Sequence, residues 1–142
     1  MRIAIASDHG GLDHKAAIAA HLREQGHEVS DLGPASGESV DYPDFAHALC
    51  TRLLEGEFER GVLVCGTGQG MAMSANKHAG LRAAVVSDTF SARMATEHNN
   101  AQVLCVGQRV VGPGLVLELV DAWLGASFEG GRHERRVGKI DC

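Results

Sequence analysis

Short apolar runs and longer amphipathic stretches alternate along this chain. Ile3 to Ala6 is a brief run of strand-forming residues, closed by Ser7-Asp8-His9-Gly10-Gly11. Leu12 to Gln25 then reads as a helix, because Leu12, Ile18, Ala19 and Leu22 fall in one stripe at the helical period. Gly26 supplies a stop signal. His27 to Leu32 is a second strand, and a polar loop runs from Gly33 to Val40. Asp41-Tyr42-Pro43-Asp44 begins another helix with proline in its first turn, followed by Phe45, Leu49 and Leu53 at intervals of four.

Gly61 to Cys65 is a third strand without polar alternation, which suggests burial on both faces. The loop Gly66 to Gly70 follows it, then a short helix from Met71 to Lys77. Ala83 to Ser87 is a fourth strand. Asp88 can cap the next helix, where Phe90 and Met94 stand one turn apart. Val103 to Val106 is a fifth strand. Pro113 starts a helix carrying Val116, Leu119, Val120 and Trp123 on one face, and residues 125–142 turn glycine-rich, then basic and weakly helical. Five strands alternating with helices predict an α/β fold with a parallel sheet covered on both faces. In such sheets ligands bind beyond the carboxyl ends of the strands, so residues there are the ones to search.

At 142 residues the chain is the size of one domain. Its 18 glycines against 3 prolines point to tight turns and close backbone approaches. A net charge of −5 argues against non-specific binding to nucleic acid. No apolar run reaches the ~20 residues of a membrane span, and the N-terminus lacks the pattern of a signal peptide, so the expected address is cytoplasmic. Cys50, Cys65, Cys105 and Cys142 show no zinc-site spacing and are expected to be free thiols. Cys50 and Cys105 read as packing residues and Cys142 as terminal and exposed.

The loop CGTGQG between a strand and a helix has the layout of an anion nest. Met71 stands where a dinucleotide fingerprint needs its third glycine and where a cysteine phosphatase loop needs arginine, and the lysine of a Walker loop is missing. Cys65 ends a buried strand and faces a helix start, a field that favours the thiolate and suits a base or nucleophile; it could equally be a small hydrophobe finishing a strand. Asp8 and His9 precede Gly10-Gly11, which allow close approach of a substrate. A metal site from Asp8, His9 and His98 lacks ligand spacing. His14, His21, His27, His47, His78 and His133 read as solvated or structural. Arg132 and Arg136 are four apart and would share one helix face, which suits a phosphate dianion or merely a solvated basic tail near Glu129 and Glu134.

The segments SDHGG, DYPDFA, VLVCGTGQGMAMSANK, EHNNAQVLCVGQRVVG and DAWLGASFEGGRHERRV stand in this order from residue 1 to about residue 137. Together they resemble the ribose-5-phosphate isomerase B family, whose wider membership includes galactose-6-phosphate and allose-6-phosphate isomerases. The resemblance implies a three-layer α/β/α sandwich, Rossmann-like, with a five-stranded parallel sheet in the order 2-1-3-5-4. It implies a single sugar-phosphate isomerase domain over 1–142, with residues 125–142 an extension that carries phosphate-binding arginines. It also implies an aldose–ketose isomerase working through an enediolate without metal or cofactor, with an active site between two subunits of a homodimer or homotetramer.

By matched position, the resemblance makes Cys65 the base and Thr67 a proton relay, and has the backbone of Gly66, Gly68, Gln69 and Gly70 stabilise the enediolate. His98 with Asp8 would open the sugar ring. Asn99 and Tyr42 would orient sugar hydroxyls, His9, Arg132 and Arg136 would hold the phosphate, and Arg109 would add a contact from the neighbouring subunit. Another branch of the family uses a carboxylate base one residue after the loop, and here that residue is Met71, so the cysteine type is implied. Ribose 5-phosphate is the expected substrate. The alternatives are allose 6-phosphate, galactose 6-phosphate or a tetrose phosphate, or a non-catalytic sugar-phosphate-binding module. Neither nucleic acid nor membrane is an expected partner.

Overall fold

The computed structural model describes residues 1–141; Cys142 lies outside the described residues. The chain runs β1 (Arg2–Ser7), α1 (Leu12–Glu24), β2 (Glu28–Asp31), α2 (Tyr42–Leu54), β3 (Arg60–Cys65), α3 (Gln69–Ala75), β4 (Ala83–Val85), α4 (Thr89–Glu97), β5 (Val103–Gly107), α5 (Pro113–Leu124) and α6 (Arg132–Ile140). All strand pairs are parallel, and the sheet order is β2-β1-β3-β5-β4, as the resemblance implied.

Strand alternation sorts the apolar side chains into two cores. Ile3, Ile5, Val62, Val64, Leu104 and Val106 face α1, α4 and α5, where Ile18, Leu22, Ala95, Val116, Leu119 and Trp123 close over them. Ala4, Ala6, Leu63, Cys65, Val103 and Cys105 face α2 and α3, against Ala46, Leu49, Cys50, Met71 and Ala75. The result is the three-layer α/β/α sandwich. Because β1, β3 and β5 are covered on both faces, they read as unbroken apolar runs. The edge strands β2 and β4 are only partly buried and are shorter than their sequence patterns predict.

Helix ends follow their local chemistry. Asp88 caps α4 by accepting from the Ser91 amide at 2.7 Å, and Gly26 takes φ +88° just past α1. The sequence pattern misplaces two features. First, α3 begins at Gln69, not Met71, because Gly68 at φ +80° turns the chain directly into the helix. Second, Phe90 does not belong to the buried face of α4: it is 64% exposed, and small Ala92 and Ala95 with Thr96 face inward instead. Thr96 then reaches α5, its hydroxyl donating to the Trp123 carbonyl at 2.7 Å. The weakly helical tail is a nine-residue helix, α6, anchored by His133 and Val137. His14 is structural: it is buried, and its ring donates to the Val111 carbonyl at 2.7 Å.

Gly11 marks where backbone approach is tightest. A methyl group there would sit 2.7 Å from both the carbonyl oxygen and Cγ1 of Val64. Gly11→Ala is therefore expected to destabilise the protein by about 1–3 kcal/mol in urea unfolding, the usual cost of overpacking. An unchanged midpoint would contradict this packing.

Candidate active site

The carboxyl ends of β1 and β3 are stitched together where the chemistry-bearing residues emerge. The Asp8 amide donates to the Val64 carbonyl at 3.1 Å, which lays Asp8-His9-Gly10 along the start of the glycine loop. Asp8 is buried, and its carboxylate accepts from the Gly10 amide at 2.8 Å. A Cβ on Gly10 would lie 3.6 Å from the Gly66 nitrogen, so the two loops touch through backbone alone. His9 is exposed, with its Nδ1 accepting from the Val40 amide at 3.2 Å.

Cys65 closes β3 on the α2/α3 face and is buried. The Gly68 amide turns back and donates to its sulfur at 3.1 Å, the polarity that suits an anionic sulfur. Only glycine fits at 68: φ is +80°, and a Cβ would meet the Val106 backbone and Val85 Cγ2 at 2.9 Å. The loop is clamped from below, since the Gln108 amide donates to the Cys65 carbonyl at 2.9 Å and the Arg109 amide to the Gly66 carbonyl at 3.0 Å. The Thr67 hydroxyl accepts from the Gln69 amide at 3.3 Å and stays exposed. The Gly70 and Met71 amides fall in the first turn of α3, where a helix offers no internal acceptor.

Tyr42, the first residue of α2, lies against Gly70, where a Cβ would collide with the edge of its ring. Arg109 lies beside Gly66 of its own chain. One edge of the sheet thus brings together Asp8, His9, Tyr42, Cys65, Thr67, the glycine loop and Arg109. Met71, at the carboxylate-base position of the other branch, is fully buried. Of the other described thiols, burial pushes Cys50 up to about 11, and burial, reinforced by Cys50 and Cys65, raises Cys105 well above the ordinary thiol range.

His98 and Asn99 are elsewhere. They follow α4, which starts beyond the carboxyl end of β4 and runs back to the amino end of β5. Five-residue β5 separates that end from Gly107, the register partner of Cys65, by about 13 Å. The tail joins His98 there, because the Glu129 amide donates to the Glu97 carbonyl at 3.0 Å. Arg132 and Arg136 lie exposed on α6. A single chain therefore does not bring His98, Asn99, Arg132 or Arg136 to Cys65, and Asp8, His9 and His98 do not form one metal site within it.

Sequence reasoning missed two members of this second group. His133, read as solvated or structural, stacks on His98 with ring centroids 4.2 Å apart and planes 10° apart. Glu129, read as part of a solvated tail, places a carboxylate oxygen 3.5 Å from His133 Nε2 and 4.0 Å from His98 Nε2. The spacing of four between Glu129 and His133 was the available signal. Burial above all holds the His133 imidazole below its ordinary titration range; His98, Arg132 and Arg136 add to this and Glu129 opposes it.

Comparison with known proteins places these features in context. The profile of the ribose/galactose isomerase family matches residues 3–140. Ribose-5-phosphate isomerase B of Escherichia coli is 48% identical over 98% of this chain and 93% of that protein. D-erythrulose-4-phosphate isomerase of Pectobacterium atrosepticum is 45% identical, covering 99% and 93%. Among solved structures, ribose-5-phosphate isomerase B of Clostridium thermocellum superposes with a TM-score of 0.98 at 51% identity, covering 99% and 95%. The enzyme of Mycoplasma genitalium with bound ribulose 5-phosphate superposes with a TM-score of 0.94 at 44% identity, covering 99% and 93%. No helix among the described residues is long and apolar enough to cross a membrane.

The buried imidazole at the second edge makes a pH prediction. His133 should titrate below the ordinary 6.5 in a histidine-resolved NMR experiment, rising in Arg132→Ala and falling further in Glu129→Gln. The unfolded chain then binds the extra proton first, so this residue's contribution to stability declines as pH falls through about 6.5. A midpoint above 6.5 would contradict the burial argument.

Proposed function

The chain belongs to the ribose/galactose isomerase family and is a sugar-phosphate isomerase, and we propose that it interconverts ribose 5-phosphate and ribulose 5-phosphate through an enediolate. The observation that carries the reading is the Gly68 amide donating to the Cys65 sulfur at the mouth of the glycine loop. Cys65 takes the proton from C2 of the open aldose and returns it to C1. As charge develops on the sugar oxygens, the backbone amides from Gly66 to Gly70 are the fixed donors that stabilise it. The Thr67 hydroxyl hydrogen-bonds the reacting oxygens and relays their proton. The cycle invokes no resident metal and no cofactor.

Furanose opening needs a second proton-moving group, and the chain keeps it at the far edge of its sheet. The site is therefore completed across two copies. His98 of the partner subunit moves the proton of the anomeric hydroxyl over the edge that carries Asp8. Asn99 of the partner subunit orients sugar hydroxyls with Tyr42. The phosphate sits between His9 and Arg132 and Arg136 of the partner subunit; Arg109, expected from the neighbouring subunit, is assigned here to the chain that carries His9 and Cys65, because it lies against Gly66 of that chain. The surface around the loop supports this assembly. Thr67, Gln69, Met73, Val85 and Val110 line an open groove of about 570 Å³. Met73 is 66% exposed and Val110 56%, apolar area that a lone chain would leave to water. The cytoplasm is the compartment that suits free thiols in such an enzyme.

One relative's activity on a tetrose phosphate makes erythrose 4-phosphate the second substrate to test. It is also a probe of mechanism. Its only ring-closing hydroxyl carries the phosphate, so it reacts without ring opening. His98→Asn is expected to lose most turnover of ribose 5-phosphate and to retain turnover of erythrose 4-phosphate. Equal losses on both would contradict a ring-opening role for His98.

The direct test of the base is ketopentose formation from ribose 5-phosphate in the presence of chelator. Cys65→Ala should fall by about 10²–10⁴-fold, the usual worth of a general base, and Cys50→Ala should retain activity. Full activity in Cys65→Ala would overturn the assignment. Binding of the sugar phosphate without turnover by the unaltered protein would leave a non-catalytic module.

A further inference from the structure

We propose that His98, Glu129 and His133 form a dissociable binding site for a divalent transition-metal ion of the zinc type. The consequence, which rests on the ring-opening role given to His98 above, is that an ion held there inhibits the isomerase. The site is a property of the second edge of the sheet, remote from Cys65 in the same chain, and it needs nothing from the thiol.

Geometry carries the argument. One ligand atom from each of the three residues lies within 4.8 Å of the others. Two imidazoles and a carboxylate are the donor set of three-ligand zinc sites that leave a fourth position open. Zinc–ligand lengths near 2.0–2.1 Å put tetrahedral ligands about 3.3 Å apart, so the 3.5 and 4.0 Å separations from Glu129 need only a small contraction. Two of the three ligands are also held before any ion arrives. Glu129 is tied by its amide to Glu97, and His133 is buried in the first turn of α6.

The approach is open, because the His98 side chain is 39% exposed and that of Glu129 51%. Arg132 and Arg136, on the same helix as His133, repel a cation, which makes the site one that fills and empties rather than a permanent structural centre. The stacked rings explain how filling it would act. With planes only 10° apart and centroids 4.2 Å apart, the ring lone pairs lie in two separate, nearly parallel planes and do not meet at one point. Binding must turn one ring, and the one free to turn is His98. The ion thus occupies the His98 lone pair and swings the imidazole off its stack.

The test uses the full chain, with Co²⁺ as the spectroscopic probe and Zn²⁺ in competition with a chromogenic chelator, both on a Cys65→Ser background. The expected result is one ion per chain, a visible Co²⁺ band without thiolate charge transfer, and no change in His78→Gln. That last variant removes the other close imidazole pair, His47 and His78, whose ring nitrogens are 2.7 Å apart. Glu129→Gln, exposed and harmless to folding, should weaken binding by at least the roughly 10–100-fold that losing an outer-shell partner costs, and His133→Asn should do the same. Binding unaffected by Glu129→Gln, or lost in His78→Gln, would overturn the site.

Inhibition is read separately on the protein with Cys65 intact. Zn²⁺ should suppress ribose 5-phosphate turnover, and Glu129→Gln should need about tenfold or more Zn²⁺ for the same effect. Binding that passes every arm above while turnover is untouched would keep the site and refute the ring-opening role of His98.

Discussion

A parallel strand begins at one edge of a sheet and ends at the other, and every connection must travel back. That constraint decides where each functional group of this protein can stand. Residues that follow strands, Asp8, His9, Cys65 to Gly70 and Arg109, collect at the carboxyl edge. Residues that precede a strand, His98 and Asn99 before β5, collect at the amino edge, a strand length away. The tail from Glu129 to Ile140 is tied to this second edge by the Glu129–Glu97 hydrogen bond and by Arg82, which pairs with Asp141 at 2.5 Å. No local rearrangement of side chains can carry His98 across the sheet, which is why the proposed site, drawing on both ends, calls for two copies of the chain.

Within the carboxyl edge, the glycines set the geometry. Gly68 reaches the Cys65 sulfur because it alone tolerates φ +80° in a space walled by Val106 and Val85. Gly107 lets β5 run directly beneath the loop, where a Cβ would stand 2.6 Å from the Thr67 backbone. Gly70 admits the Tyr42 ring. The sulfur is thereby fixed against a donor by backbone that cannot easily relax, which is the kind of preorganisation that electrostatic catalysis draws on. Cys50 and Cys105, buried among apolar neighbours without such a donor, behave as packing groups.

Much of this architecture could be read from the pattern of residues, for a physical reason. Strands covered on both faces must be apolar throughout, so β1, β3 and β5 announce themselves, and the loops after them follow. What could not be read depends on contacts distant in sequence. Phe90 attracts attention on α4, yet small Ala92 and Ala95 are what allow α5 to pack closely there. The start of α3 at Gln69 depends on a left-handed glycine, which composition does not reveal. His133 and Glu129 acquire meaning only when α6 folds back onto the end of α4. His98 precedes β5, so a parallel sheet already puts it at the amino end in sequence terms; what sequence alone does not show is that the tail returns there to stack His133 on it.

The claim that one site draws on two copies is tested most directly by complementation between inactive variants. Cys65→Ala and His98→Asn, each assayed alone on ribose 5-phosphate, should be poor isomerases. Co-expressed and purified as mixed oligomers with two different tags, they place both lesions in one site of each symmetric pair and leave the other site intact. Recovery of activity in the doubly tagged fraction is the predicted result. Mixed oligomers no more active than their parents would contradict a site shared across the interface, and with it the account of why His98 lies where it does.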